Sequence, residues 1–141
     1  MATVSPSWAY TLHLPHDLRA PGIARATLRT VLDAHGLSSL TPTAELLASE
    51  LLTNAHVHTT GPYALRLRAM EPGRLRVAVW DTDSRVPPGF NAAGVVPVAP
   101  CDAEGGRGLQ LVRACADAVG ASVLGEPGAS GGGKLLWAEC R

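Results

Sequence analysis

The sequence predicts an α+β fold, a two-layer sandwich in which helices cover one face of a mixed, mostly antiparallel sheet. Helical and strand periodicities follow each other in the order strand, helix, helix, strand, strand, loop, helix, strand, strand. Apolar residues make up 46% and charged residues 17% of the chain, which is typical of a compact domain with one core. We therefore expect a single domain over residues 1–141.

The first two predicted elements are a strand and a helix. Polar and apolar residues alternate over 8–14, as in a half-buried strand. Helical periodicity follows over 23–35, and Gly36 is a typical stop just beyond a helix. The apolar stripe of this helix is formed by Ile23, Ala24, Leu28, Val31 and Leu32.

A second helix is predicted from Thr41 to about His58. Thr41 followed by Pro42 has the pattern of an N-cap and first helical residue, and Glu45 lies near the positive end of the helix. A helical wheel places an apolar face toward the core, formed by Ala44, Leu47, Ala48, Leu51, Leu52 and Ala55. The same wheel places Glu45, Ser49, Thr53 and His56 on the opposite, solvent-facing side.

The second half of the chain predicts a hairpin, a long loop, a helix and two strands. Apolar segments over 63–69 and 74–80 flank Glu71-Pro72-Gly73, a turn signal. Residues 84–105 are rich in proline and glycine and are long for a simple connection, which indicates a functional loop. The remaining predicted elements are a helix over 109–119 and strands over 121–124 and 134–140.

Charge and cysteine content exclude several classes of function. Lys plus Arg and Asp plus Glu number 12 each, so a broad electrostatic grip on nucleic acid or an anionic membrane is not expected. No apolar stretch approaches the roughly 20 residues needed to span a bilayer. The three cysteines are widely spaced and form no metal-binding pair, which favours reduced thiols and a cytoplasmic location.

Three polar residues lie on the surface of the second helix, between its apolar face and its solvent-facing side. Glu50, Asn54 and His58 are spaced four apart, so they share one narrow stripe. A carboxylate and an amide on a largely apolar surface need polar partners, and a Mg2+ ion and a hydroxyl nucleophile would satisfy both. The alternative is a partly exposed helix edge with ordinary pairing between successive turns.

A second polar feature follows the predicted strand over 74–80. Asp81 and Asp83 come directly after this apolar run. A carboxylate just past a buried strand can accept a hydrogen bond from the exocyclic amine of a ligand. The alternative is turn chemistry, which Asp and Ser favour in any protein.

A third feature is the segment Gly105-Gly106-Arg107-Gly108-Leu109 before the third helix. Glycines allow a backbone to approach a phosphate, and a helix N-terminus supplies free N–H groups. The segment lacks the Gly-Lys-Ser/Thr ending of a Walker A loop, and the later GGGKLLW has no following Ser, Thr or helix. A plain glycine-rich helix entry is the alternative.

Together the three features resemble the GHKL superfamily of histidine-kinase-like ATPases, and within it the branch of anti-sigma-factor serine/threonine kinases. ELLASELLTNAHVH resembles the N box of that branch. VAVWDTDSRVPP and EGGRGLQLVRACADAVG resemble its two glycine boxes, and GGGKLLWAEC its terminal strand. The resemblance covers nearly the whole chain and implies the Bergerat fold.

The resemblance also implies ligands and roles. ATP and Mg2+ would be bound, with Glu50 as the general base and Asn54 as the Mg2+ ligand. Asp81 would accept from the adenine amino group, and Leu135 stands where relatives commonly carry a Thr that helps to hold adenine through water. Further residues implied at the nucleotide are His58, Asp83, Gly105, Gly106, Arg107, Gly108 and Leu109, and 92–105 would form a lid.

The implied function is an ATP-dependent serine/threonine protein kinase that phosphorylates a small antagonist protein. That antagonist would compete with a sigma factor for the same surface, and the kinase would be a homodimer. Two alternatives remain open from the residues. One is a nucleotide-gated module that sequesters a partner without useful catalysis, and the other is an interaction domain that binds no nucleotide.

Overall fold

A computed structural model describes residues 7–71, 73–90, 106–124 and 132–141. In these ranges the chain forms an α+β fold, as predicted. The strands are β1 (Ala9–Leu14), β2 (Tyr63–Glu71), β3 (Arg74–Asp81), β4 (Ala118–Leu124) and β5 (Gly133–Cys140). The helices are α1 (Ala20–Ala34), α2 (Thr41–His58) and α3 (Gly106–Cys115), with a short 3-10 helix at Ser38–Leu40.

The five strands form one sheet in the order β1-β2-β3-β5-β4. Each neighbouring pair of described strands is antiparallel, which confirms the mostly antiparallel prediction. β5 lies between β3 and β4, so it pairs with a strand far from it in the sequence. In this ladder Asp81 lies directly opposite Lys134.

The two faces of the sheet differ in polarity because successive residues of a strand point to opposite sides. On β2 and β3 the buried residues Leu65, Leu67, Leu75, Val77 and Val79 alternate with Arg66, Arg68 and Arg76. The apolar face packs under the helices, and the arginine face lies on the other side of the sheet.

Helix α2 is the centre of the helical layer. It contacts α1, α3 and strands β2, β3 and β5. All six residues of its predicted apolar face are buried, which confirms the wheel: Ala44, Leu47, Ala48, Leu51, Leu52 and Ala55. Small residues alternate with leucines on this face, so the helix packs closely against its neighbours on several sides.

Helix α1 begins three residues before its predicted start, at Ala20. Pro21 lies in its first turn, where the missing N–H of proline has no intrahelical partner to lose. The predicted stripe was wrong at Ile23, which is 55% exposed, whereas Ala20 is buried. The buried stripe therefore extends one turn earlier, from Ala24 to Ala20, and Ile23 lies outside it.

Two further predictions about α2 were wrong. Leu40 is the residue that precedes the helix and no side chain caps it, so Thr41 is not the N-cap. His56 is not on a solvent-facing side: its Nδ1 lies 2.9 Å from the Tyr63 hydroxyl, and its ring stacks on His16 at 4.1 Å. Segments that pack against the end of the helix cover a surface that a helical wheel alone assigns to water.

The third helix is shifted from its predicted range of 109–119. It begins at Gly106 and ends at Cys115, and β4 already begins at Ala118. The Asp117 N–H donates to the Glu139 carbonyl at 2.8 Å, so the chain has joined β5 where the helix was expected to continue. Helical periodicity in the sequence therefore extended past the point where sheet pairing ends the helix.

None of the helices in the described ranges is long and apolar enough to span a membrane.

Candidate functional site

Helix α2 presents the predicted polar stripe beside the core. Glu50 and Asn54 are half-buried, and His58 at the last turn is exposed. Their neighbours Leu51 and Ala55 are fully buried in the core. The stripe therefore follows the edge of the apolar face, as the sequence predicts.

The N-terminal turn of α3 lies directly against Glu50. A Cβ atom added to Gly108 would overlap Glu50 Oε2, so a side chain at this position would displace the Glu50 carboxylate. Gly106, Arg107 and Gly108 were predicted as a loop, but they form the first turn of α3. The structure thus brings the first and third polar features of the sequence together, with a helix N-terminus beside a carboxylate.

Asp81 is the last residue of β3 and is buried. Its side chain is 2% exposed, and Lys134 Nζ donates to Oδ1 at 2.9 Å and to Oδ2 at 3.0 Å. Oδ1 also accepts from the Asp83 N–H at 2.9 Å, which fixes the turn after the strand. Asp81 shares its side of β3 with Val77 and Val79, so it lies on the helix-covered face.

Lys134 is a residue of this site that the sequence reasoning missed. Its side chain is 3% exposed, and Nζ also donates to the Asp83 carbonyl at 3.0 Å. Alternation along the strand gave a usable signal, because Lys134 has the same parity as Leu136 and Ala138. A lysine at a core position of a strand requires a buried acceptor.

Gly133 permits the close approach of β5 to the end of β3. Its φ is +129°, and a Cβ atom there would overlap the Asp81 carbonyl oxygen. The Gly133-Lys134 pair is therefore a structural unit, in which the glycine provides the space and the lysine provides the charge.

Leu135 does not face the side of the sheet on which Asp81 lies. It pairs with Trp80 in the β3–β5 register and borders a small cavity with Arg66, Arg68 and Arg76 on the arginine face. The resemblance implied that Leu135 lies beside adenine. The structure corrects this, because Leu135 faces the opposite side of the sheet from Asp81, and the neighbouring Lys134 of β5 lies on the Asp81 side.

His58 and Asp83 both line a groove of about 400 Å³ between the end of α2 and the turn after β3. The Asp83 carboxylate accepts from the backbone N–H and the guanidinium of Arg85, and these hydrogen bonds lower its pKa. The groove is lined by Val57, His58, Thr59, Thr60, Thr82, Asp83 and Arg85.

The remaining predicted site residues are only partly described. Leu109 is buried in the core, so its side chain anchors α3 there. Gly105 and the predicted lid over 92–105 lie outside the described residues, and so does the side chain of Arg107. In the ranges that the structure covers, no group of three or more His, Cys, Asp or Glu side chains is arranged to hold a metal ion. Asn54 as a Mg2+ ligand stays a prediction.

A model of a known protein family matches most of the chain. The family model for the histidine kinase-like ATPase domain matches residues 14–137. This span extends from the end of β1 into β5 and includes Glu50, Asn54, Asp81 and Lys134. No curated protein matches the chain.

Proposed function

The chain belongs to the histidine kinase-like ATPase domain family, and we propose that it is a serine/threonine protein kinase of the anti-sigma-factor type. Its substrate would be a small antagonist protein. The unphosphorylated antagonist would compete with a sigma factor for the kinase. In this proposal the protein acts in the cytoplasm as a homodimer.

The observation that carries the proposal is the approach of Gly108 to Glu50. It brings a candidate general base to the positive end of α3, and the first N–H groups of a helix have no intrahelical acceptor and can bind phosphate. A side chain at position 108 would push the carboxylate away, so the glycine allows Glu50 to lie beside the first turn of α3. The contact supports a site in which a phosphate group and a reacting hydroxyl lie close together.

The residues present fit ATP and Mg2+. Asp81 would accept from the adenine amino group, and the first turn of α3 would face the phosphates. Asn54, one helical turn from Glu50, would offer its amide oxygen to Mg2+. The metal ion, when bound, offsets charge on the phosphate oxygens.

Phosphoryl transfer in this site would proceed by a direct displacement. The Ser or Thr hydroxyl oxygen of the antagonist attacks the γ-phosphorus of ATP and forms a new O–P bond. The bond from the γ-phosphorus to the bridging oxygen breaks, and its electron pair leaves with ADP. The Glu50 carboxylate accepts the hydroxyl proton.

Replacing Glu50 by Ala tests the proposed role of the base. We expect phosphotransfer from labelled ATP to candidate antagonist proteins to fall by about 10²- to 10⁴-fold, because a positioned general base contributes about that much. ATP binding measured by calorimetry should change little. Glu45→Ala is the matched control, since Glu45 lies on the same helix and pairs with Arg29 on α1.

The outcomes separate the possible functions. Loss of ATP binding together with transfer would make Glu50 a structural residue rather than a base. ATP binding by the wild type without transfer to any antagonist would favour the nucleotide-gated binding module. Absence of ATP binding by the wild type at millimolar nucleotide with Mg2+ would contradict the proposal as a whole.

Asn54→Ala tests the proposed metal ligand. We expect the gain in ATP affinity on adding Mg2+ to shrink in this variant, because one metal ligand is removed. Calorimetric titrations with Mg2+ and with EDTA measure this gain in the wild type and in the variant. An unchanged gain would contradict the assignment of Asn54.

A further inference from the structure

The proposed kinase gives Asp81 a role but leaves Lys134 without one. In the part of the chain that the structure describes, the buried charged residues are Asp81, Lys134 and Glu139. Burying an ion pair costs solvation free energy that the attraction between the charges often only balances. Lys134 therefore calls for an explanation beyond stability.

Lys134 cannot contact a ligand while it keeps its present partners. An ammonium group has three N–H donors. Lys134 donates at 2.9 and 3.0 Å to the two Asp81 carboxylate oxygens and at 3.0 Å to the Asp83 carbonyl. All three donors are used inside the protein, so Lys134 can act on a ligand only through Asp81.

The Asp81 carboxylate has one lone-pair position left that can accept a further hydrogen bond. A carboxylate has about four lone-pair positions for hydrogen bonds. Among the described residues, Oδ1 accepts from Lys134 and from the Asp83 N–H, whereas Oδ2 accepts from Lys134 alone. The open acceptor position is therefore on Oδ2, and the paired carboxylate has no proton to donate.

We infer that Lys134 is a positioning residue that sets the base selectivity of the site. Its hydrogen bonds fix the orientation of the Asp81 carboxylate, so the site accepts a donor such as the 6-amino group of adenine and disfavours a 6-oxo purine. This inference rests on the proposed function, because it assumes that a purine nucleotide binds beside Asp81.

Removal of the ammonium would change the hydrogen bonds that Asp81 can form. Without Lys134, the Asp81 carboxylate loses two hydrogen bonds and keeps the one from the Asp83 N–H to Oδ1. Oδ2 is then no longer held in one orientation, so the 6-amino group of adenine loses its fixed acceptor. The preference for adenine over hypoxanthine would then be lost even where the fold is kept.

The experiment compares ADP with IDP: adenine has a 6-amino group and an unprotonated N1, whereas hypoxanthine has a 6-oxo group and an N1–H. We expect wild-type protein with Mg2+ to bind ADP about 10- to 100-fold more tightly than IDP, the value of a hydrogen bond to a charged group. In Lys134→Met the ratio should fall to within about threefold of unity. Glu139→Gln removes a different ion pair of β5 and should leave the ratio unchanged.

A second variant tests the inference if Lys134→Met does not fold. Lys134→Gln keeps an N–H donor toward Asp81 but carries no charge, and it should also lower the ADP/IDP ratio. Circular dichroism and thermal melting identify which variants are folded. A purely structural role for Lys134 would weaken both nucleotides equally and leave the ratio as in the wild type.

The results distinguish this inference from the proposed function. A wild type that binds neither nucleotide overturns the proposed function, and the inference with it. A wild type that binds both without preference overturns the inference alone. A folded Lys134 variant that keeps the wild-type ratio also overturns the inference alone.

Discussion

The β3–β5 ladder has two charged contacts that lie on opposite faces of the sheet. Asp81 and Lys134 pair on the face under the helices, with side chains 2% and 3% exposed. Arg76 and Glu139 pair on the other face, where the Arg76 side chain is 26% exposed and also stacks on Trp137 at 4.1 Å. Arg74 donates to the same Glu139 carboxylate at 3.1 Å.

The comparison shows that burial, more than distance, decides what an ion pair does. Both contacts have short N–O separations and occupy directly opposed positions of the same two strands. Glu139 is itself buried, with its side chain 8% exposed, but both guanidinium groups of the outer contact are partly exposed, so solvation offsets part of the cost to them of losing Glu139. The inner contact has no such compensation, so each of its charges depends on the other.

The largest difference is expected between Asp81→Asn and Glu139→Gln, which remove one negative charge each with little change in shape. Asp81→Asn leaves the Lys134 ammonium buried and should lower the free energy of unfolding by about 3–5 kcal/mol. Glu139→Gln should cost less, about 1–2 kcal/mol, because both arginines are partly exposed to water. Urea denaturation at pH 7 measures both values. Equal losses would show that the two contacts do not differ in their dependence on pairing.

A smaller difference is expected between the glycines beside the two contacts. A Cβ at Gly133 would overlap the backbone oxygen of Asp81, and the residue has a φ of +129°. A Cβ at Gly120 would instead overlap the Trp137 ring, a side chain on the outer face. We expect Gly133→Ala to cost about 2–3 kcal/mol and Gly120→Ala about 1–2 kcal/mol, because moving a paired strand costs more than shifting a ring.

These two variants also differ in what they should do to binding. Gly133→Ala should weaken nucleotide affinity, since it moves β5 away from Asp81. Gly120→Ala should leave affinity near the wild-type value, and thermal melting with and without ADP compares the two. A Gly120→Ala protein that loses ADP stabilisation would argue that the two faces are coupled.

The smallest effect is expected at the exposed pair of Asp83 and Arg85. Hydrogen bonds from Arg85 lower the pKa of Asp83 in the folded protein. The stabilisation is therefore present above about pH 4, the ordinary range of an aspartate, and is lost as the pH falls through the lower folded value. Arg85→Ala should be slightly less stable than the wild type at pH 7, and the difference should disappear in strong acid. Salt should reduce it as well.

The sequence predicted the parts of the fold that depend on local pattern. The apolar face of α2 follows from the spacing of its leucines and alanines, and the β2–β3 hairpin follows from a turn signal between two apolar runs. The errors arose where one element ends on another. Helix α3 stops at Cys115 because β4 pairs with β5, and His56 is covered by His16 and Tyr63. No local pattern contains that information.

The sequence named candidate residues of the site but did not predict the contacts between them. Glu50, Asn54 and Asp81 were identified by spacing and by resemblance to a family. The pairing of Asp81 with Lys134 was missed, since it depends on the register between strands 53 residues apart. The side on which Leu135 lies was mistaken for the same reason, because a shift of one residue exchanges the faces of a strand.

The insertion of β5 between β3 and β4 has a consequence for the order of folding. The β2–β3 hairpin can form from neighbouring residues. In contrast, β5 pairs with β3 across 53 residues of sequence, and β4 joins the described sheet through β5. Contacts over such sequence separations form slowly, because a long loop must close first. We therefore expect the Asp81–Lys134 contact to be among the last to appear. Partly folded chains would not yet recognise a base, so acquisition of nucleotide affinity during refolding would report completion of the sheet.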